Sequence, residues 1–292
     1  MMNILVTGSK GQLGSEFRSL ANDYPEFRFA FIDMEELDLT DFPAVHTFFK
    51  NNDLDYCVNC AGYTAVDQAE DKPEKAFLLN SDAVENLAKE CTANQVRFVH
   101  ISTDYVFDGL ATKPYKEDDR VSPQSVYGSS KLQGEQAVLK NSADAVIIRT
   151  AWLCSKFGKN FVKTMLKLAA EKSELSVVDD QFGSPTFAED LARAILQIIK
   201  ADNRNMRNEI YHYSNGGIIS WFIFAKQIVK MAGLPCDVKP VNTSEYPTKA
   251  KRPAYSVLDT AKIKRDYGLA IPEWKTSLWK LINQLKDTES ND

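Results

Sequence analysis

The chain has 292 residues, 44% of them hydrophobic and 26% charged, which suits one large α/β unit or two fused lobes with a full core. A net charge of −5 argues against nucleic acid as the main partner. No apolar run approaches the ~20 residues that cross a bilayer, which excludes a membrane helix. The start through Gly8 lacks the basic region and cleavage site of a signal peptide, so a cytoplasmic protein is expected.

Residues 3–7 form a short apolar strand that runs straight into Gly8-Ser9-Lys10-Gly11-Gln12-Leu13-Gly14, and a helix follows with Leu13, Phe17 and Leu20 on one face. A second strand, 27–32, ends at Asp33. A helix at 42–51 leads to a third strand at 56–60. Cys57-x-x-Cys60 lies in that strand, where residues three apart point to opposite faces, so it reads as two small buried residues rather than a redox pair. The five cysteines suggest no disulfide framework, and the three histidines (His46, His100 and His212) have no metal-ligand spacing. Residues 73–93 read as one long helix with Pro73 at its start. Strands at 96–101 and 145–148 flank a helix carrying Tyr127. Strands alternating with helices predict a Rossmann-type, doubly wound parallel sheet over residues 1–150. Beyond Arg149, helices are expected near 159–172, 186–200, 219–232, 259–267 and 275–286, with Thr186 as an N-cap, and short strands near 175–178, 209–213 and 237–241. Residues 242–258 read as an ordered loop and 287–292 as frayed. Residues 151–292 are thus mainly a small helical lobe, with segments near 186–214 returning to the first sheet.

Gly8-x-x-Gly11-x-x-Gly14 follows a strand and opens a helix, the context in which glycines let the backbone approach a pyrophosphate. Asp33 lies 19 residues after Gly14, close to the spacing of a ribose-binding acid. That acid favours NADH, while Lys10 in the loop offsets the repulsion and leaves NADPH open. Asp38 and Leu39 are placed to meet the adenine, and Ala61, Gly62, Tyr63 and Thr64 end the third strand on the cofactor side. Tyr127-x-x-x-Lys131 puts a phenol and an ammonium on one helical face, which should pull the phenol pKa below its usual ~10. Chance alone supplies about one such spacing in this composition, so its weight comes from position. Ser102-Thr103-Asp104 follows the fourth strand at the carboxyl edge where such sheets bind ligands. Thr103 is suited to bond a substrate carbonyl, Tyr127 to donate a proton, and Lys131 to tune Tyr127 while holding the nicotinamide ribose. Asp104 either orients the site or caps a turn.

Together these residues resemble the extended short-chain dehydrogenase/reductases and, within them, the dTDP-4-dehydrorhamnose reductase family. The supporting stretches are Thr64-Ala-Val-Asp67, Ser102-Thr-Asp-Tyr-Val-Phe-Asp-Gly109, Arg149-Thr-Ala-Trp152, Asn160-Phe-Val-Lys163, Asp180-Gln-Phe-Gly-Ser-Pro-Thr186 and Arg252-Pro-Ala-Tyr-Ser256, which extend over nearly the whole chain. The resemblance implies hydride transfer from NADPH or NADH to the C4 keto carbon of a dTDP-sugar, with Thr103, Tyr127 and Lys131 in catalysis. It places Asp104, Trp152 and Asn160 against the sugar nucleotide, and Arg252 where a planar guanidinium suits a diphosphate. Some relatives are thought to pair around Mg2+. Glu16 and Glu189 match acidic positions used there but make no complete ligand set and read as solvated helix acids, so no metal is assigned and either a monomer or a homodimer is compatible. Two other readings share the fold: an epimerase or dehydratase of another nucleotide sugar, marked by NAD that copurifies, and a non-catalytic regulatory subunit, which would not need Thr103, Tyr127 and Lys131 together.

Overall fold

The computed structural model describes residues 1–142, 144–201 and 208–289. Its first half alternates β1 (Met2–Thr7), β2 (Phe27–Phe31), β3 (Tyr56–Asn59), β4 (Arg97–Thr103) and β5 (Ala145–Thr150) with α1 (Gln12–Leu20), α2 (Phe42–Asn51), α3 (Val66–Ala69), α4 (Pro73–Phe77), α5 (Ala83–Ala93) and α6 (Val126–Asn141). The second half holds strands β6 (Leu153–Cys154), β7 (Glu174–Val178), β8 (Phe182–Gly183), β9 (Thr186–Phe187), β10 (Glu209–Tyr213), β11 (Ile219–Ser220) and β12 (Asp237–Val241). Its helices are α7 (Phe161–Glu171), α8 (Ala188–Ala201), α9 (Trp221–Ala232), α10 (Ala261–Tyr267) and α11 (Trp274–Glu289).

Six strands pair in the order β10-β5-β4-β3-β1-β2, all of them parallel. Side chains alternate across a strand, so Ile4 and Val6 of β1 enter one core and Leu5 the other. On the first face Phe17 of α1 meets Leu191 and Ile195 of α8. On the second, Val45 and Phe49 of α2 join Leu87 of α5 and Val138 of α6. With both faces covered, each central strand is a nearly unbroken apolar run. A third core joins α7, α9 and α11 through Met165, Phe224, Ile228 and Leu278, beneath the two-stranded β7–β12 sheet. The strand order reverses between β1 and β3, which sets a crevice at their carboxyl ends.

Three local expectations change. The helix over 73–93 is interrupted by a π turn at Leu78–Asp82, which buries the polar side chain of Asn80. The fourth strand runs on through Thr103, so this hydroxyl sits on the last residue of β4. Thr186 does not cap a helix: its N–H bonds Trp152 O and its hydroxyl accepts from Thr150, because pairing with β6 outcompetes capping. Regular helix reaches Glu289, and the remainder of the end expected to fray, 290–292, lies outside the described residues. None of the described helices is long and apolar enough to cross a membrane.

Candidate active site

The crevice at the β1/β3 edge is built by backbone. Gly8 has φ +61°, and a Cβ there would lie 2.6 Å from Ala61 N, so only glycine lets the loop after β1 lie against the end of β3. Gly11 forms the N-cap of α1 and provides no side-chain cap, leaving the first helical N–H groups open to an anion. This cradle of bare backbone fits a dinucleotide pyrophosphate. Gln12 reaches out of the loop, accepting a bond from Asn160 Nδ2 at 3.0 Å. Leu13 turns into the first core, so its side chain faces away from the crevice. Asp33 clamps the loop to β2 by accepting from Lys10 N at 2.8 Å. The Lys10 ammonium pairs with Glu35 and lies 3.5 Å from Glu36. Asp38 is exposed and accepts both bonds of Thr40, which lower its pKa, while Leu39 is buried in the second core. On the other bank Tyr63 exchanges both backbone bonds with the Asn80 side chain, at 2.8 and 3.0 Å, with Gly62 beside it and Thr64 exposed.

The catalytic candidates meet at the end of β4. Thr103 donates to Asp104 Oδ1 at 3.0 Å and accepts from Tyr105 N, capping the short turn Asp104–Val106. Ser125 caps α6 by accepting from Gly128 N at 3.1 Å, and Tyr127 is the second residue of that helix. A Cβ on Gly128 would stand 2.2 Å from Tyr105 O, so the missing side chain is what lets α6 begin against the Asp104–Val106 turn and brings Tyr127 to Thr103. The Tyr127 ring meets Tyr105 edge-on, centroids 5.5 Å apart.

Electrostatics reverse the expected tuning. Burial pushes the Tyr127 phenol well above its ordinary value, and the Thr103 hydroxyl offsets this only in part. Lys131 does not pull it down: its ammonium, buried on the same helix, donates to Ile101 O at 2.6 Å. Burial lowers Lys131 to about 8 against the pull of Glu135. Burial raises Asp104 to about 6, and its Oδ2 has no hydrogen-bond partner. The site therefore keeps a protonated phenol next to an acid that titrates near neutrality.

Trp152 adopts φ +49° and stacks on Trp221, centroids 3.5 Å apart and planes 11° from parallel. Arg252 bonds Asp67 and the Tyr105 phenol, so its guanidinium sits at the rim of the Tyr127 cluster. Asn160 also has a structural part. Its Oδ1 caps α7 at Lys163 N and its Nδ2 serves Gln12 and Ser155 O, so all its polar atoms are committed within the chain.

Glu16 and Glu189 are not solvated acids. Glu16 is buried, with burial raising its pKa, one oxygen on the Ser155 hydroxyl at 2.6 Å and the other unpartnered. Glu189 works against its own burial through Lys280, Gln284 and Arg193 and falls to about 2. The Lys280 ammonium already neutralises the carboxylate a cation would need, and no group of three His, Cys, Asp or Glu side chains among the described residues could hold a metal. These residues do not fit Mg2+.

Sequence reasoning missed Asn80, whose Nδ2 also bonds Ser130 on α6 and so ties the Tyr63 strand end to the Tyr127 helix. Its only sequence signal is a polar residue at a buried helical position. It also gave no role to Tyr105 or Asp67, although both lie inside motifs that were legible.

Residues 2–287 match the family described as the RmlD substrate binding domain. Among similar proteins, the spore coat polysaccharide biosynthesis protein SpsK of Bacillus subtilis is 40% identical over 97% of this chain and 98% of its own length. A dTDP-4-dehydrorhamnose reductase of Sinorhizobium fredii is 39% identical over 98% of this chain and all of its own. A crystal structure of dTDP-4-dehydrorhamnose reductase from Bacillus anthracis, in complex with NADP, superposes with TM-score 0.93 at 36% identity, covering 97% of this chain and 100% of that one.

Proposed function

The chain belongs to the RmlD substrate binding domain family, and from that premise we propose that it reduces dTDP-4-dehydro-L-rhamnose to dTDP-L-rhamnose. NADPH or NADH, when bound, supplies the hydride. The observation that carries the reading is the Thr103–Tyr127 cluster at the carboxyl end of β4, with Lys131 one helical turn behind it and the bare-backbone cradle at Gly8 on the same sheet edge.

In this reading Gly8, Gly11 and Gly14, with the backbone of Lys10, Gln12 and Leu13, receive the pyrophosphate at the α1 N-terminus. Asp33 takes ribose hydroxyls, Asp38 with the Leu39 backbone the adenine, and residues 61–64 the inner half of the dinucleotide. Thr103 holds the C4 oxygen of the sugar. Tyr127, kept protonated by its burial, gives that oxygen its proton, and Lys131 holds the nicotinamide ribose. Asp104 and Trp152 bound the sugar, and Arg252 answers the diphosphate. Residues 1–150, with the return of β10 and α8, form the dinucleotide half, and the rest forms mainly the sugar-nucleotide half. Five free cysteines suit a reducing cytoplasm.

The test is loss of reduced-nicotinamide absorbance on adding the keto-sugar nucleotide, run with NADPH and NADH in parallel. Tyr127→Phe should lower kcat by roughly 10²–10⁴-fold with cofactor binding retained. No turnover by the parent protein would sink the assignment, and full activity in the variant would remove Tyr127 from it.

A further inference from the structure

Behind Lys131 runs a buried polar chain that the proposed reaction does not use. Thr7 at the end of β1 donates to Asn59 Oδ1 at 2.6 Å, and Asn59 Nδ2 lies 3.2 Å from His100 Nδ1. His100 Nε2 lies 3.4 Å from Lys131 Nζ. Asn59 and His100 are about as inaccessible as any residue in the protein, at 1% and 0% exposed.

The direction of each bond in this chain is determined. Ala61 N–H, which can only donate, points at Asn59 Oδ1 at 3.2 Å and at Thr7 Oγ1 at 3.4 Å. The amide oxygen must therefore face Ala61, and the amide NH2 must face His100. Nδ1 of His100 is then an acceptor, and burial beside Lys131 lowers the imidazole pKa far enough to keep it neutral. A neutral imidazole with an accepting Nδ1 carries its proton on Nε2. That N–H is the group presented to Lys131.

We propose that His100 is a positioning residue for Lys131: locked by Asn59 in the Nε2–H tautomer, it presents a donor where an ammonium would need an acceptor. An N–H facing an NH3+ disfavours the charged lysine, whereas a neutral Nζ accepts the bond through its lone pair. The other groups around Nζ are Ile101 O, which takes one of its N–H bonds, Glu135, which favours the charge but is paired with Arg149, and the buried Cys60 thiol. Asp104 and Tyr105 act on the Tyr127 phenol instead. Lys131, already lowered by burial, thus gives up its charge more readily between turnovers. The consequence for the reaction rests on the reductase reading, but the tautomer does not.

Two measurements separate these. With only three histidines in the chain, 15N-histidine labelling resolves each ring. His100 should show a bare Nδ1 and a protonated Nε2 from pH 6 to 9, and a proton on Nδ1 overturns the proposal whether or not the protein turns over. Asn59→Asp keeps the acceptor for Ala61 and Thr7 but turns the His100 proton onto Nδ1. Both Asn59→Asp and His100→Phe should move the alkaline limb of the kcat profile to higher pH by about one unit, a tenfold change in the lysine equilibrium. An unmoved limb in folded samples of both variants overturns it. Absence of turnover in the parent protein, with the expected tautomer, strikes the reductase reading instead.

Discussion

Replacing Gly128 with alanine sets two expectations against each other. Alanine is preferred to glycine inside a helix by about 0.8–1.0 kcal/mol, so propensity alone predicts a modest gain in stability. The geometry predicts a loss of activity. The new Cβ would stand 2.2 Å from Tyr105 O, where ordinary contact begins at 3.4 Å, so a gap of 3.4 − 2.2 = 1.2 Å must open. The obstruction is a backbone oxygen in a turn that Thr103 caps, and it cannot rotate aside as a side chain would. Pro123 Cβ, at 3.1 Å, blocks another direction of escape. The first turn of α6 must therefore lift off the end of β4 and take Tyr127 away from Thr103 by about the same distance. A misplacement of about 1 Å costs on the order of 10²-fold in rate. Saturating initial rates with the keto-sugar nucleotide should show kcat down about 100-fold, while cofactor affinity, which the proposed reading assigns to the Gly8 loop, should change little. A variant with parental kcat and a raised thermal midpoint would refute the reasoning, because it would mean that this contact does not position the phenol.

Arg149 meets buried Glu135 with two bonds of 2.7 and 2.9 Å, so Arg149→Met should strand the carboxylate and cost about 3–5 kcal/mol, read from the urea midpoint. The Asp104 pKa is raised in the fold, so its stabilising effect is complete below the ordinary value of 3.8 and is lost as pH rises through about 6. Asp104→Asn should therefore be more stable than its parent at pH 8, by on the order of 3 kcal/mol, with the gap closing towards pH 4. Guanidinium unfolding at both pH values checks this, and a constant gap contradicts it. With the Lys280 ammonium on Glu189, EDTA should leave the thermal midpoint unchanged, whereas Lys280→Met should lower it. A fall caused by EDTA would reveal a metal that the residues do not suggest.

The parallel sheet was readable because its strands are short apolar runs between helices of regular period, and because glycines mark the turn after β1. Tyr127, Lys131 and Thr103 could be brought to one edge by that topology alone. Burial could not be read in the same way. The phenol was expected to be tuned downward by the lysine four residues on, but desolvation, which depends on what the rest of the chain piles around the ring, pushes it upward. The same blindness made Glu16 a surface acid when α1 in fact turns it towards Ser155, 139 residues away. Asn160 was legible as a candidate ligand contact, but its cap on α7 and its bond to Gln12 depend on how distant segments meet and could not be read from the sequence. The π turn at Leu78–Asp82 has no counterpart in hydrophobic period, because its purpose is to aim one amide, that of Asn80, across the chain.

The stacked indoles of Trp152 and Trp221 give the protein an optical property. Two identical chromophores stacked 3.5 Å apart couple their excited states, so the pair should shift its near-ultraviolet absorption and quench its own emission. Of the four tryptophans, Trp279 is widely exposed and Trp274 is buried in the helical lobe, and neither lies in such a stack. In the proposed reading, in which Trp152 bounds the sugar, a sugar nucleotide settling there would change that emission directly, giving a label-free signal for substrate arrival that is separate from the nicotinamide absorbance that follows hydride transfer.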